Sequence, residues 1–131
     1  RAAASEGSKL EKIFKARIED AGYNVELHKM LIPAENLEID LYIPHLKTII
    51  EVDGPSHFLP IWGEGKLQKQ VNADLRKSGV LLSKGYVVIR VKSLGQESLA
   101  KKESLIEQVL THLNEIDDKF PPRSKRFIEV E

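Results

Sequence analysis

The chain has 131 residues, of which 41% are hydrophobic and 31% are charged, a composition typical of one globular domain rather than a disordered polypeptide. It contains no cysteine, which excludes disulfides, zinc–thiolate sites and thiol catalysis, and no apolar run is long enough to span a bilayer. Its 20 basic and 20 acidic residues cancel, which argues against a protein that binds nucleic acid through net charge alone.

The start of the chain suggests a fragment. It begins at Arg1 without a methionine, and its only Met is Met30. We therefore expect a single domain over residues 1–131, cut from a longer chain, with flexible ends at residues 1–7 and 119–131.

The first predicted elements are a helix and two strands. Apolar residues recur at helical spacing over residues 8–21, and Ser8 and Glu11 match the capping-box pattern. Residues 23–32 favour a strand, and residues 37–43 alternate between apolar and polar side chains, as a second strand does.

The second half of the chain predicts a crossover unit. Residues 47–53 favour a third strand, residues 66–84 a long helix, residues 86–91 a buried strand and residues 97–118 a last helix. The expected fold is α/β, a mixed central sheet flanked by helices in the order α-β-β-β-α-β-α. Chemistry in such sheets gathers at the carboxyl ends of the strands.

Three carboxylates lie near the ends of two neighbouring predicted strands. Glu51 and Asp53 project to one face of their strand, and Asp40 lies on the adjacent strand. Such carboxylates repel one another unless a positive charge lies between them. Mg²⁺ takes oxygen ligands of this kind, Mn²⁺ can substitute, and the backbone carbonyl of Val52 is a further candidate ligand. The alternative is that these side chains simply face solvent.

His57 follows Asp53 after a glycine–proline turn, and an imidazole there can take or deliver a proton near neutral pH. The alternative is a packed or solvent-facing loop histidine. That ordinary role is the one we expect for His28, His45 and His112.

Two further acids have a structural and a functional interpretation. Glu11 fits the N3 position of the capping box, but its helix must pack across the sheet and can bring it to the metal. Asp74 lies on the apolar stripe of the 66–84 helix, where it either pairs with a neighbour such as Lys77 or reaches the site.

Basic and aromatic residues follow the carboxylate strand. They are candidate contacts for the phosphates and bases of DNA, or else a solvated helix face and cover for the core edge: Phe58, Trp62, Lys66, Lys69, Arg76 and Lys77.

These motifs together resemble the PD-(D/E)XK nuclease superfamily, and more closely its very-short-patch-repair-like branch with the phage EDxHD homing endonucleases. The motifs are Ser8-Lys9-Leu10-Glu11, Ile39-Asp40-Leu41-Tyr42-Ile43-Pro44, Ile50-Glu51-Val52-Asp53-Gly54-Pro55-Ser56-His57-Phe58, Asp74-Leu75-Arg76-Lys77 and Lys84-Gly85-Tyr86-Val87-Val88-Ile89-Arg90.

The resemblance implies a restriction-endonuclease-like fold and a Mg²⁺-dependent endonuclease that hydrolyses DNA in the cytoplasm, of a host cell if the protein is phage-encoded. Glu11 and Asp40 would be the first acidic pair, His57 the histidine and Asp74 the final acid. Asp53 stands where most members have a lysine, which moves His57 forward as the proton carrier. DNA recognition would reside largely in a missing amino-terminal region, and a homodimer is left open.

Two other functions remain open. One is a mismatch-repair nickase of the very-short-patch type, for which Phe58 and Trp62 would enter the base stack. The other is a non-catalytic RNA-binding module, because such modules in organelle proteins share the string from Glu51 to Phe58. A binding module has no reason to keep Glu11 and Asp40 in one site.

Overall fold

The structure is a computed structural model that describes the backbone of residues 2–131 and the side chains from Lys9 onward. Its helices and strands are α1 (Ala2–Asp20), β1 (Glu26–Ile32), β2 (Leu37–Ile43), β3 (Thr48–Asp53), α2 (Glu64–Ser83), β4 (Val87–Lys92), α3 (Leu99–Asp118) and β5 (Phe127–Val130). The α/β class and the mixed sheet flanked by helices are therefore confirmed. Of the expected flexible end at residues 1–7, Arg1 and all the side chains lie outside the described residues.

The five strands form one sheet in the order β1-β2-β3-β4-β5. The pairs β1–β2 and β2–β3 are antiparallel, whereas β3–β4 and β4–β5 are parallel. Parallel neighbours need a crossover, which α2 supplies between β3 and β4, and α3 between β4 and β5. Because β3 and β4 run in parallel, their carboxyl ends lie at the same edge of the sheet. Among the described residues, no helix is long and apolar enough to cross a membrane.

The predicted capping box at the start of α1 is wrong. The helix begins at Ala2, so Ser8 lies in its interior and Glu11 is not in the first turn. The capping interpretation of Glu11 therefore falls away. One turn further along the helix, Phe14 packs in the core, which holds this face of α1 against the sheet.

The two faces of the sheet carry different cores. The larger core lies under α1 and α3, with buried residues that include Phe14, Ile18, Leu41, Ile50, Ile89, Leu105 and Leu113. The smaller core lies under α2 and comprises Ile39, Ile49, Leu81 and Val88. Only Ser78 and Leu81 of α2 are buried. The apolar cover that α2 gives the sheet is therefore narrow, and polar groups occupy the rest of the space beneath it.

The strand β5 was not predicted from the sequence, which indicated a flexible end at residues 119–131. In the structure this segment pairs in parallel with β4, and Val130 is 0% exposed beneath α3. The strand is an edge strand of four residues with one fully buried side chain. So short a run shows no clear alternation, and its pairing depends on α3 bringing the chain back to the sheet edge.

We expect Val130→Ala to lower the free energy of unfolding by about 2 kcal/mol, because it empties a buried position under α3. Urea unfolding followed by circular dichroism measures this, with the exposed neighbour in Glu129→Ala as the matched control. Equal stability of the two variants would contradict a structural role for β5.

Candidate functional site

The sheet forks between β2 and β3. These strands pair only at Leu41↔Ile50, Tyr42↔Ile49 and Ile43↔Thr48. Beyond that point β2 continues with β1 alone, while β3 continues with β4 as far as Asp53. The fork opens toward the carboxyl end of β3, which is the edge where the sequence predicted the site.

Two carboxylates occupy the base of the fork, where the ladder hydrogen bonds stop. The backbone N–H of Asp40 donates to Glu51 Oε2 at 2.8 Å, and the backbone N–H of Val52 donates to Asp40 Oδ2 at 2.9 Å. Buried amide groups need a partner, and here each strand's side chain supplies it to the other strand. Asp40 and Glu51 are thereby held in place by the same contacts that end the strand pairing.

A cleft of about 390 Å³ opens at the fork. Its lining includes every residue that the sequence predicted to be catalytic or metal-binding: Glu11, Asp40, Glu51, Val52, Asp53, His57 and Asp74. The fold therefore brings together side chains from α1, β2, β3, α2 and the turn after β3. Arg76, Lys77 and Arg90 line the same cleft and supply positive charge.

Glu51 and Asp53 share one face of β3, as their spacing predicted. That face lies under α2, and each of the two carboxylates has a basic partner. Lys77 Nζ contacts Glu51 Oε1, and Arg90 Nη1 donates to Asp53 Oδ1 at 2.8 Å. Burial raises the pKa of both carboxyls, and these cations oppose the rise. The repulsion that suggested a metal between Glu51 and Asp53 is thus relieved by the protein itself.

Lys77 was predicted as a phosphate contact, but its ammonium is turned into the cleft against Glu51. The resemblance to nucleases expects a lysine at position 53, where this chain has Asp53. A lysine ammonium does reach the cleft, from α2 rather than from β3. Its side chain is only 21% exposed, so it is not part of an open basic surface.

Arg90 is a site residue that the sequence reasoning missed. It is 7% exposed, and its Nε donates to Ser78 Oγ at 2.9 Å while Nη2 donates to the Asp74 carbonyl at 3.3 Å. The signal was available, because a charged residue flanked by apolar residues in a buried strand must find partners. Arg90 connects the ends of β3 and β4 to α2.

His57 and Asp74 form a hydrogen-bonded pair. His57 Nδ1 lies 2.8 Å from Asp74 Oδ2 and 3.6 Å from Asp53 Oδ1, and Gln70 Nε2 donates to Asp74 Oδ1 at 3.0 Å. The hydrogen bond to Asp74, aided by the charge of Asp53, raises the pKa of His57 above its usual value. Burial alone would raise the pKa of Asp74, but the contact with His57, together with the charge of Arg90 and the hydrogen bond from Gln70, outweighs burial and lowers that pKa.

On the α1 side of the cleft, Glu11 and Asp40 meet a histidine that we expected to have no role. His28 Nε2 lies 3.1 Å from Glu11 Oε1, and one donor atom each of Glu11, His28 and Asp40 lie within 4.8 Å of one another. Burial raises the pKa of both carboxyls, and nearby carboxylates add to the rise, Glu51 and Glu38 at Glu11 and Glu11 at Asp40. No sequence signal placed His28 here, because its position depends on how β1 bends.

The basic residues predicted for DNA binding divide between two places. Lys66, Lys69 and Trp62 line a second concavity of about 450 Å³, which shares Gln70 and Ala73 with the cleft. Trp62 is 71% exposed, so its ring is open to a partner. Arg76 lies at the cleft, where its Nη2 donates to Glu35 at 3.1 Å.

Among the residues that the structure describes, two groups at the cleft have the donor atoms for a divalent cation, and His28 of the first group lies beside the cleft lining rather than in it. One is Glu11, His28 and Asp40, and the other is Asp53, His57 and Asp74. Their oxygen and imidazole donors suit a hard or borderline divalent ion. In the second group Arg90 already supplies a positive charge to Asp53.

No protein-family model matches the chain, and comparisons with curated proteins and with solved structures return no match either.

We expect His57 to titrate above the usual histidine value of about 6.5 in the metal-free protein, and Asp74→Asn to return its pKa toward that value. NMR of the imidazole resonances measures both. Because the folded-state pKa is raised, the stabilisation by this pair is complete below the unfolded-state pKa and is lost as pH rises through the folded-state pKa.

The matched control is Asp117→Asn, which removes a carboxylate that lies 3.6 Å from His45 and outside the lining of the cleft that holds His57. Titration of His57 below about 6.5 in the unsubstituted protein would contradict the assignment.

Proposed function

We propose that the chain is the catalytic domain of a divalent-metal-dependent DNA endonuclease that hydrolyses phosphodiester bonds. The observation that carries the proposal is the fork between β2 and β3, which sets the Glu11–Asp40 carboxylates and the His57–Asp74 pair in one open cleft. Acids that could hold a cation and an imidazole that could move a proton are the parts that phosphodiester hydrolysis needs. The resemblance to EDxHD homing endonucleases, with Mg²⁺ as cofactor, points the same way.

Glu11 and Asp40 would hold the cation. Both are partly buried, and no lysine or arginine from residues 10–131 forms an ion pair with either. When bound, a divalent cation supplies Lewis-acid stabilisation of the charge that develops on a phosphate under attack. The meeting of Glu11 and Asp40 in one site supports an enzyme over a binding module.

His57 would deliver a proton to the oxygen that leaves phosphorus. Its Nδ1 is engaged by Asp74, which orients the ring and leaves Nε2 as the nitrogen for proton transfer. The raised pKa of His57 keeps the imidazolium form populated near neutral pH, which suits an acid. Asp74 would act through His57, by holding its ring and its charge.

The concavity beside the cleft would bind the DNA backbone. Lys66 and Lys69 are exposed on α2, the largely exposed side chain of Trp62 offers a ring for stacking, and Gln70 joins this surface to the cleft. The basic charge is local, which explains how a chain of zero net charge could still hold a polyanion.

We expect Asp40→Asn and His57→Ala each to lower the rate of supercoiled-plasmid cleavage with Mg²⁺ or Mn²⁺ by at least about 100-fold, because one removes a cation ligand and the other the proton donor. EDTA should abolish cleavage. Asp117→Asn on α3 removes the same charge away from the cleft and should leave the rate unchanged. Full activity of both site variants would reject the proposed active site, and activity in EDTA would reject the proposed metal dependence.

The same protein samples separate the two alternatives. A preference for a mismatched duplex over random plasmid, with one strand cut, would indicate a repair nickase. Binding of single-stranded RNA that is equal in Asp40→Asn and unsubstituted protein, without cleavage of any substrate, would indicate a binding module.

We expect Lys66→Gln with Lys69→Gln to weaken DNA binding and to reduce the slope of log affinity against log salt by about 2, since each lost phosphate contact releases about one counterion fewer. Fluorescence anisotropy of a labelled duplex over a salt series measures it. The control pair is Lys101→Gln with Lys102→Gln, which removes the same charge from α3. An equal effect of both pairs would show that the concavity is not the binding surface.

A further inference from the structure

We propose that His28 is the third ligand of a cation site formed with Glu11 and Asp40, and that this site therefore prefers a first-row transition ion such as Mn²⁺ over Mg²⁺. The inference rests on the proposed function, in that it names the ion and the ligands of the same cleft. It replaces the oxygen-only site at Asp40, Glu51, Val52 and Asp53 that the sequence suggested.

The backbone at His28 has an unusual conformation for a strand. Its φ is 51°, a left-handed conformation, and it lies inside β1, whereas the other two non-glycine residues with positive φ, Asn36 and Lys47, end short turns. Among the residues that the structure describes, His28 is the one non-glycine residue with this conformation inside a strand. A left-handed residue costs about 1–2 kcal/mol outside glycine, so neighbouring packing must hold it.

His28 lies where the pairing of β1 with β2 is interrupted. The β1–β2 register pairs Leu27 with Leu41 and Lys29 with Ile39, and omits the pair between them, His28 and Asp40. Both strands change faces over this stretch, and in β1 the register also shifts between Met30 and Ile32. Leu27 and Leu41 pack in the core under α1 and α3, whereas Leu31 and Ile39 pack in the core under α2. The break in alternation turns His28 out of the ladder and toward Glu11.

The donor atoms of Glu11, His28 and Asp40 lie close together. His28 Nε2 and Glu11 Oε1 are 3.1 Å apart, and all three donors lie within 4.8 Å of one another. Ligands about 2.1 Å from a common ion lie about 3–4 Å apart, so rotations of the side chains bring all three onto one ion.

The acids on the α2 side of the cleft have positively charged or imidazole partners. Glu51 pairs with Lys77, Asp53 with Arg90 and Asp74 with His57. Glu11, whose side chain is only 13% exposed, has His28 as its neighbour. Asp40 has no ion pair with a lysine or arginine from residues 10–131, although the charge of Lys77, which pairs with Glu51, also acts on it. Within the cleft, Glu11 and Asp40 are the pair of carboxylates that a cation would balance.

The donor set then decides the ion. Mg²⁺ is bound through oxygen and keeps much of its water, whereas imidazole nitrogen adds affinity for Mn²⁺ and the later first-row ions. With one nitrogen and two carboxylates, the site should bind Mn²⁺ more tightly than Mg²⁺, and the difference should depend on His28.

The test is Mn²⁺ binding to the whole chain, followed by electron paramagnetic resonance, with pulsed detection of hyperfine coupling to an imidazole nitrogen. We expect that coupling in the unsubstituted protein and its loss in His28→Asn. Asparagine tolerates the left-handed backbone, so this variant removes the imidazole without forcing the strand to rearrange. We also expect the Mn²⁺ affinity to fall by at least about 10–100-fold, since loss of a mere hydrogen-bond partner of a metal ligand already has an effect of this size, and the preference for Mn²⁺ over Mg²⁺ to fall with it.

The controls are His45→Asn, an exposed histidine outside the cleft, and His57→Ala, and both should keep the coupling. Coupling that survives in His28→Asn and disappears in His57→Ala would overturn the inference and place the ion at Asp53, His57 and Asp74. Bound Mn²⁺ without any nitrogen coupling would also overturn it.

The inference and the proposed function fail differently. Metal-dependent cleavage of plasmid by a protein whose Mn²⁺ shows no coupling to His28 rejects the inference alone. A protein that binds no Mn²⁺ and cuts no DNA rejects both.

Discussion

The candidate site depends on the exchange of hydrogen bonds between Asp40 and Glu51. Where the ladder between β2 and β3 stops, each strand's carboxylate accepts the backbone N–H of the other strand. The contact allows the sheet to open without leaving buried amide groups unpaired, and it anchors one oxygen of each carboxylate at the base of the opening. The cleft follows from it, because α1 and α2 cover opposite sides of the divergence and bring Glu11 and Asp74 to its walls.

Charge is distributed unevenly across this cleft. On the α2 side each acid has a partner, since Lys77, Arg90 and His57 face Glu51, Asp53 and Asp74. On the α1 side Glu11 and Asp40 have raised pKa values through burial and repulsion, which the imidazole of His28 relieves only in part for Glu11. The two halves suit different tasks, one the movement of a proton and the other the binding of a cation.

Much of the fold was predictable because its signals are local. Helical spacing in residues 66–84 and 97–118 and the apolar runs of β3 and β4 specify the elements, and the parallel crossover then specifies their order. The start of α1 and the strand β5 were not predictable in the same way. Ser8 fits the pattern of a helix cap but lies inside the helix. The strand β5 fully buries one side chain, Val130, and that burial depends on the apolar surface beneath α3, which the local sequence does not reveal.

The sequence by itself determined which chemical groups reach the cleft from β3 and the turn after it, because period-two alternation puts Glu51 and Asp53 on one face and the glycine–proline turn keeps His57 close. Only the tertiary structure decided their partners. Lys77, Arg90 and His28 lie 26, 37 and 17 residues from the acids they contact, as their numbers in the chain show. Such contacts depend on how helices cross the sheet and on a left-handed residue inside β1, and neither leaves a pattern in the neighbouring sequence.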